Sequence, residues 1–195
     1  MLVMKKRLIV VGIDEAGRGP LAGPVTVSAV VLNPDYHNNK IQDSKKLSSL
    51  QREKLFSEII ENSLAHEVIN LSSKEVDKIN IRQATLKAMQ MAASKILEKY
   101  PNAVFLIDGN MDLGENFCSE FIIKGDSKLA CISAASILAK VSRDRIMQKY
   151  DKQFPQYRFA KHKGYPTKEH KELVKKHGPC KIHRMTFAGV KEFLI

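Results

Sequence analysis

Tryptophan is absent from this sequence of 195 residues, cysteine occurs only three times, and no apolar run is long enough to cross a bilayer. The cysteines at positions 118, 131 and 180 are an odd number without zinc-ligand spacing, so neither a disulfide framework nor a zinc site is indicated. A membrane span needs roughly 18 apolar residues. The first apolar run is interrupted at Gly12 and Asp14, which also argues against a signal peptide. We therefore expect a cytoplasmic protein without a membrane partner.

Acidic residues are outnumbered by basic ones. The sequence has 32 Lys and Arg against 21 Asp and Glu, a net charge of +11, and such a surplus favours a polyanionic partner. Between Lys161 and Arg184 there are eight basic residues and two glutamates. This stretch is typical of a nucleic-acid contact, but it is equally consistent with a solvated basic helix face.

Hydrophobic patterning predicts alternating strands and helices. Apolar runs at 8–13, 25–32, 67–71, 103–107 and 121–123 are typical of strands. Ser48 and Ser72 each precede a Gln or Glu by three positions, a capping box that predicts a helix start. Further helices are predicted at 81–99, 133–149 and 166–177. The turn between the first two strands favours an antiparallel pair and the helical links favour parallel later strands, so we expect an α/β fold with a mixed sheet.

Acidic residues end three of the apolar segments, with glycine nearby. They are Asp14-Glu15, Asp108-Gly109 and Gly125-Asp126. Because ligand sites in open α/β sheets lie beyond strand ends, these carboxylates converge if the strands are neighbours. Strict alternation would aim Asp14 and Glu15 at opposite faces, so a shared site requires the strand to end there and the chain to turn.

Carboxylates without cysteine or an obvious histidine partner form a hard oxygen site, which favours Mg²⁺ or Mn²⁺ over Zn²⁺. Two such ions roughly 4 Å apart hold the attacking and leaving oxygens of a phosphoryl displacement. The plainer alternatives are a turn or helix cap for each single Asp, and ordinary surface for Asp14-Glu15.

The glycine-rich segment after Asp14 nearly matches two nucleotide-binding motifs. Gly12 and Gly17 have Walker A spacing, but Arg18-Gly19 replaces the required Lys-Ser/Thr. Gly17, Gly19 and Gly23 approach a dinucleotide fingerprint with one residue too many. Simple nucleotide binding is therefore the weaker interpretation.

Several short motifs occur along the chain in a characteristic order. They are Asp14-Glu15-Ala16-Gly17-Arg18-Gly19-Pro20, Asp43-Ser44-Lys45-Lys46-Leu47, Ile107-Asp108-Gly109, Lys124-Gly125-Asp126, the segment 133–144, Lys163-Gly164-Tyr165-Pro166-Thr167 and His183-Arg184. In this order they resemble the ribonuclease HII family, the type 2 ribonucleases H of bacteria, over about residues 7–190. The sister family, ribonuclease HIII, carries threonine in the glycine motif and an extra N-terminal domain. Arg18 stands at that position here, so the resemblance to type HII is preferred.

The resemblance implies a ribonuclease-H-like mixed sheet flanked by helices, with a helical C-terminal part. It implies a single catalytic domain over 1–195, in which the basic residues 150–195 contact the substrate. The implied activity is hydrolysis of RNA in RNA–DNA hybrids and incision 5′ of single ribonucleotides embedded in duplex DNA, leaving 5′-phosphate and 3′-hydroxyl ends. The implied catalytic and metal-binding residues, for Mn²⁺ or Mg²⁺, are Asp14, Glu15, Asp108 and Asp126. We expect a monomer.

Substrate recognition requires a 2′-hydroxyl to be read, because only that group distinguishes RNA from DNA at one nucleotide. The bare backbone of Gly17, Arg18 and Gly19 suits this task. By resemblance, Tyr165 stacks on the sugar after the ribonucleotide; ordinary packing against Pro166 is the alternative. The expected phosphate contacts are Lys45, Lys46, Lys163 and Lys168.

Two further polar residues have structural interpretations. Asp144, next to Arg143 in a predicted helix, is expected to form an ion pair within that helix rather than to be another acidic ligand. His183 is a candidate proton carrier, but a structural role is favoured.

Two other functions compete with the leading hypothesis. A nuclease of the same fold superfamily, such as a junction resolvase or transposase, would cleave DNA without ribonucleotides. A non-catalytic nucleic-acid-binding module would bind without metal, but the paired acids would repel phosphate in that case.

Overall fold

The computed structural model describes residues 8–41 and 47–194. Within these ranges five strands form a mixed sheet in the order β3-β2-β1-β4-β5. The strands are β1 (Val10–Ala16), β2 (Val25–Leu32), β3 (Ser63–Leu71), β4 (Val104–Asp108) and β5 (Ser119–Ile122). β1, β2 and β3 are antiparallel neighbours, whereas β4 pairs parallel with β1, and β5 parallel with β4. The predicted mixed sheet with an antiparallel first hairpin is confirmed. The expectation that the later strands are parallel is correct for β4 and β5 and wrong for β3, which follows the first helix but pairs antiparallel with β2.

The α-helices in the described ranges are α1 (Ser49–Glu61), α2 (Ser73–Lys99), α3 (Ala130–Gln153), α4 (Phe159–His162) and α5 (Lys168–His177). Three of these five, α1, α2 and α5, begin at the predicted signals, whereas α3 begins three residues before the predicted position 133 and α4 was not predicted. Both capping boxes form, with Ser48 and Ser72 as N-caps. α2 is kinked at Asn80, where φ is 64°, and this kink separates the predicted short helix from the longer one.

Helices cover both faces of the sheet. α2 packs on one face with Val11, Ile13 and Phe105, and α1 and α3 cover the other. α3 lies directly on β1, because a Cβ at Gly12 would stand 2.1 Å from the backbone carbonyl carbon of Cys131. Glycine at this position therefore brings α3 close to the strand that carries Asp14.

The C-terminal part packs against the glycine-rich segment between β1 and β2. The backbone N–H of Leu21 donates to the Gly164 carbonyl at 2.8 Å, and the N–H of Gly23 donates to the Ile182 carbonyl at 2.8 Å. Ala22 also forms an isolated bridge with His183. The predicted helical C-terminal part is thus present, and it holds the loop that follows the acidic residues.

No helix in the two described ranges combines the length and the apolarity needed to cross a membrane.

Candidate active site

Asp14 and Asp108 lie side by side at the ends of neighbouring strands. The parallel pairing of β1 with β4 runs to Ile13 opposite Ile107, and each aspartate is the next residue on its strand. Neighbouring strands are about 4.8 Å apart, so the two carboxylates begin close together. The condition set for a site shared by Asp14 and Glu15, that β1 ends at the acids, is not met, since β1 continues to Ala16 in its pairing with β2. It is the parallel pairing that ends, which leaves Asp14 and Asp108 at the open edge.

The Asp14 side chain is only 5% exposed. Its Oδ1 accepts from the Glu15 backbone N–H at 2.7 Å, and the carboxylate also bonds to the Ser136 side chain on α3. Burial raises the pKa of Asp14 well above its usual value, and the charges of Glu15 and Asp108 raise it further. A nearby cation would therefore stabilise the ionised form of Asp14.

Glu15 is partly buried next to the glycine-rich segment. Burial raises its pKa, the adjacent Arg18 lowers it, and the charge of Asp108 raises it. The Arg18 Nη1 lies 3.3 Å from Glu15 Oε1. The arginine of the glycine motif thus partly neutralises one of the four predicted acids.

Asp126 is buried in a short 3₁₀ helix, Gly125–Ser127, directly before α3. Its backbone N–H donates to Asp108 Oδ1 at 3.3 Å. Its carbonyl accepts from the Ser133 hydroxyl on the first turns of α3. Asp14, Asp108 and Asp126 are therefore connected from strand to strand and from strand to helix.

A divalent cation fits these residues through few ligands rather than through a preformed cage. Among residues 8–41 and 47–194, no three His, Cys, Asp or Glu side chains stand close enough to form a metal-binding group. Mg²⁺ is usually held by one or two carboxylates, with water and substrate phosphates completing its shell. The adjacent carboxylates of Asp14 and Asp108 meet that requirement, while joint binding by all four acids stays a prediction.

A cleft of about 480 Å³ opens beside Glu15. It is lined by Glu15, Ala16, Gly17, Arg18, Gly19, Arg52, Ser136, Ile137, Lys140 and Tyr165. The structure thus places the glycine motif, Tyr165 and one of the predicted acids around a single opening. Arg52 on α1 and Lys140 on α3 were not predicted as site residues; the spacing of Ser136 and Lys140, one helical turn apart, is the signal that could have indicated the second.

Tyr165 forms one side of the cleft, and the residue is 41% exposed. The Lys140 Nζ lies 5.9 Å and the Arg143 guanidinium carbon 5.8 Å from the ring centroid. A Cβ placed on Gly19 would stand 4.0 Å from the ring. The ring is therefore open to a ligand, which an ordinary packing residue would not be.

The four predicted lysines have different positions. Lys45 and Lys46 lie outside the described residues. Lys163 donates from Nζ to the Ala160 carbonyl at 2.6 Å, and Lys168 is exposed at the start of α5. Neither position assigns a phosphate contact, so these roles stay predictions.

Arg184 is a fully buried side chain that sequence reasoning did not identify as functional. Its guanidinium donates to the carbonyls of Gly17 at 2.6 Å, Arg18 at 2.9 Å and Pro20 at 2.8 Å, and it also reaches Gly23. The backbone of the glycine motif is therefore fixed by hydrogen bonds from an arginine in the C-terminal part.

Arg143 plays a similar part from α3. It is fully buried and donates to the carbonyls of Pro24 at 3.0 Å and Ala22 at 3.1 Å. Asp144 forms its ion pair within α3 with Lys140, at 2.8 Å, as predicted for a helical pair.

Comparison with known proteins agrees with this geometry. The family model described as Ribonuclease HII matches residues 11–190. A ribonuclease HII of Francisella tularensis subsp. tularensis (strain WY96-3418) is 48% identical over 187 residues, covering 96% of this chain and 99% of the relative.

Solved structures agree as well. The ribonuclease H2 of Pyrococcus horikoshii OT3 matches with a TM-score of 0.76 and 27% identity, covering 95% of this chain and 97% of the other. A ribonuclease HIII solved in complex with Mn²⁺, Bst-RNase HIII, shares the fold with a TM-score of 0.74 at 18% identity, covering 95% of this chain and 68% of that one. The expected ribonuclease-H-like fold is thereby confirmed. The chain belongs to the ribonuclease HII family and is a hydrolase with ribonuclease H activity on RNA–DNA hybrids.

Proposed function

We propose that this enzyme, besides cleaving RNA in hybrids, incises duplex DNA 5′ of single embedded ribonucleotides. The reaction is a hydrolysis dependent on Mn²⁺ or Mg²⁺ and leaves 5′-phosphate and 3′-hydroxyl ends. The observation that carries the proposal is the placement of two adjacent carboxylates, the buried Asp14 and the half-buried Asp108, next to a cleft walled by the glycine motif and Tyr165. The enzyme acts as a cytoplasmic monomer formed by one catalytic domain.

Asp14, Glu15, Asp108 and Asp126 would hold the divalent cation. Support comes from the raised pKa of Asp14 and Glu15, because a cation offsets both the burial and the mutual repulsion of these acids. A bound divalent cation lowers the pKa of its water and polarises the phosphodiester oxygens. The protein itself orients the acids through α3, which bonds to Asp14 from Ser136 and to the Asp126 backbone from Ser133.

The glycine motif presents backbone donors to the cleft. The Arg184 guanidinium donates to the carbonyls of Gly17 and Arg18, and the peptide bonds that follow these two residues are trans. Because the C=O and N–H of a trans peptide point in opposite directions, the N–H groups of Arg18 and Gly19 point away from Arg184. They are suited to bind a ribose 2′-hydroxyl, the only group that marks the ribonucleotide.

Tyr165 lines the same cleft as that loop and reads the following sugar. Its exposed ring offers a flat apolar surface to a deoxyribose, which an added 2′-hydroxyl would displace. Lys140 and Arg52 lie on the same cleft and are suited to bind the flanking phosphates. The basic C-terminal residues 150–195 extend this contact along the duplex.

The test is a labelled DNA duplex with one ribonucleotide, incubated with the protein and Mn²⁺ or Mg²⁺. We expect one incision 5′ of the ribonucleotide, a 3′ end that a polymerase extends, and no product with EDTA. The matched all-DNA duplex should stay intact; its cleavage would favour a resolvase or transposase. Metal-independent binding without any scission by folded protein would instead support a non-catalytic binding module.

A further inference from the structure

The backbone of Tyr165 is held by buried groups although its ring is exposed. The Tyr165 carbonyl lies 2.9 Å from His170 Nδ1 and accepts from the Thr167 N–H at 2.8 Å. The Tyr165 N–H donates to the His162 carbonyl at 2.9 Å. The side chain that faces the cleft is thus mounted on a peptide with little freedom.

A chain of hydrogen bonds continues behind that peptide. His170 Nε2 lies 3.1 Å from His183 Nε2, and the Cys180 backbone N–H donates to His183 Nδ1 at 3.0 Å. A backbone N–H only donates and a carbonyl only accepts, so both ends of the chain are determined. His183 therefore carries its proton on Nε2 and donates to His170, which carries its proton on Nδ1 and donates to Tyr165.

The surroundings keep this arrangement neutral. Both histidines are fully buried, and the aromatic rings of Tyr157, Phe159 and His162 pack around them. Burial, with a smaller contribution from neighbouring histidines, lowers the pKa of His170 and of His183 to about 4. Near neutral pH both histidines are therefore neutral, and the chain of hydrogen bonds has a single set of tautomers.

The need to fill space in the core does not explain this chain of hydrogen bonds. A buried polar group without a partner costs free energy, so an apolar side chain would fill the same space at lower risk. The chain of hydrogen bonds also begins next to Arg184, which holds the glycine motif that lines the same cleft. Two consecutive residues, His183 and Arg184, thus lead to the two elements that recognise the substrate.

We propose that His170 and His183 are positioning residues, whose fixed tautomers orient the Tyr165 peptide and so place its ring to read the ribose–deoxyribose junction. This inference rests on the proposed incision at single ribonucleotides. It assigns to the C-terminal segment a role in specificity that does not depend on phosphate contacts.

Conservative variants with opposite expectations at the two positions test the proposal. The amide NH₂ of Asn reaches about where Nδ1 stands, and that of Gln reaches about where Nε2 stands. His170→Asn keeps the donor to Tyr165, whereas His170→Gln loses it. At position 183 the preference reverses, because the donor there is Nε2.

We expect His170→Gln and His183→Asn to raise KM for the single-ribonucleotide duplex about tenfold, the effect of losing one good hydrogen bond. His170→Asn and His183→Gln should stay within about threefold of the wild type. An all-RNA strand hybridised to DNA lacks the junction and should show less change with all four variants. Melting temperatures, measured first, establish that each variant is folded.

A spectroscopic readout is independent of activity. Long-range ¹H–¹⁵N spectra of histidine-labelled wild-type protein at pH 7 should show the Nδ1–H tautomer for His170 and the Nε2–H tautomer for His183. Reversed tautomers would overturn the proposal, even if all four variants unfolded.

The kinetic outcomes separate the inference from the function on which it rests. Wild-type protein that fails to incise the single-ribonucleotide duplex would overturn the proposed function, and the junction role with it. Wild-type incision with the same KM in the Asn and Gln variants at both positions would overturn the positioning role alone.

Discussion

Two polar regions of this enzyme differ in how their buried groups are compensated. The acidic edge (Asp14, Asp108 and Asp126) brings like charges together at the end of β1 and β4, and burial, with the charges of Glu15 and Asp108, raises the pKa of Asp14. The C-terminal clamp (Arg143, His170, His183 and Arg184) matches its donors with backbone carbonyls or with each other.

Burial lowers the pKa of Arg184 to about 9 and of Arg143 to about 10, yet carbonyl dipoles surround both guanidinium groups. A buried polar region whose groups all find hydrogen-bond partners within the protein supports the structure. A region whose charges are not compensated within the protein needs an external partner. We therefore expect the acidic edge to carry out the chemistry and the C-terminal clamp to support it.

The largest expected effect comes from breaking the acidic edge. Asp108→Asn should lower the incision rate by about three orders of magnitude or more, because it removes a carboxylate adjacent to Asp14 where cation charge is needed. The melting temperature should change little. Single-turnover rates with saturating Mn²⁺ measure the loss, and Asp112→Asn, an exposed acid on the following loop, is the matched control. A variant rate within tenfold of the wild type would remove Asp108 from the mechanism.

Breaking the C-terminal clamp should act first on stability. Arg184→Met leaves the carbonyls of Gly17, Arg18 and Pro20 without their donor, and should lower the free energy of unfolding by about 3 kcal/mol. Urea denaturation measures the change. Arg145→Met is the control, since Arg145 is 44% exposed and its surface pair with Glu53 should contribute less than about 1 kcal/mol. Equal losses in both variants would contradict the assigned role.

The two regions should respond to acid with opposite signs. The folded pKa of His170 and His183 is about 4 against 6.5 in the unfolded chain, so between these values the unfolded state binds more protons. Each histidine should therefore lower the free energy of unfolding by about 1 kcal/mol between pH 7 and pH 5.5. Asp14 works the other way, because its raised folded pKa favours the folded state as pH falls. Denaturation of the wild type and of His170→Asn across this range isolates the histidine part; identical pH slopes would count against it.

A smaller effect sharpens the acidic half of the comparison. Asp14→Asn in metal-free protein should raise the melting temperature by about 2 °C, since an amide removes a buried charge that opposes folding. Added Mn²⁺ should then stabilise the wild type more than the variant. A melting temperature lowered by the substitution in EDTA would show that the carboxylate is already compensated within the protein.

The smallest effect concerns the basic surface. Lys168→Ala should weaken binding of an RNA–DNA duplex by a few fold and reduce the salt slope of binding by about one. The control is Lys95→Ala on α2, where the lysine pairs with Glu67 at 3.3 Å. An unchanged salt slope would place Lys168 outside the substrate contact.

Much of the fold follows from local signals. The capping boxes at Ser48 and Ser72 mark both helix starts, and the apolar runs before Asp14 and Asp108 mark their strands, because neighbours in sequence set these propensities. The turn at Asn80 was likewise visible as a break between two predicted helices. The candidate acids were visible for the same reason, since the same local pattern of an apolar segment, an acid and a nearby glycine recurs three times, although a turn or cap is the plainer interpretation of any single Asp.

Long-range partnership was not visible in that way. Asp14 and Asp108 become neighbours only because β1 and β4 pair in parallel. Arg184 belongs to a recognised motif, but its role is visible only when its side chain is found among the carbonyls of Gly17 and Pro20. Local sequence patterns predict the strands, the helix caps and the candidate acids. The fold chose which of many similar arginines and histidines would be buried, because burial depends on packing between segments more than 100 residues apart.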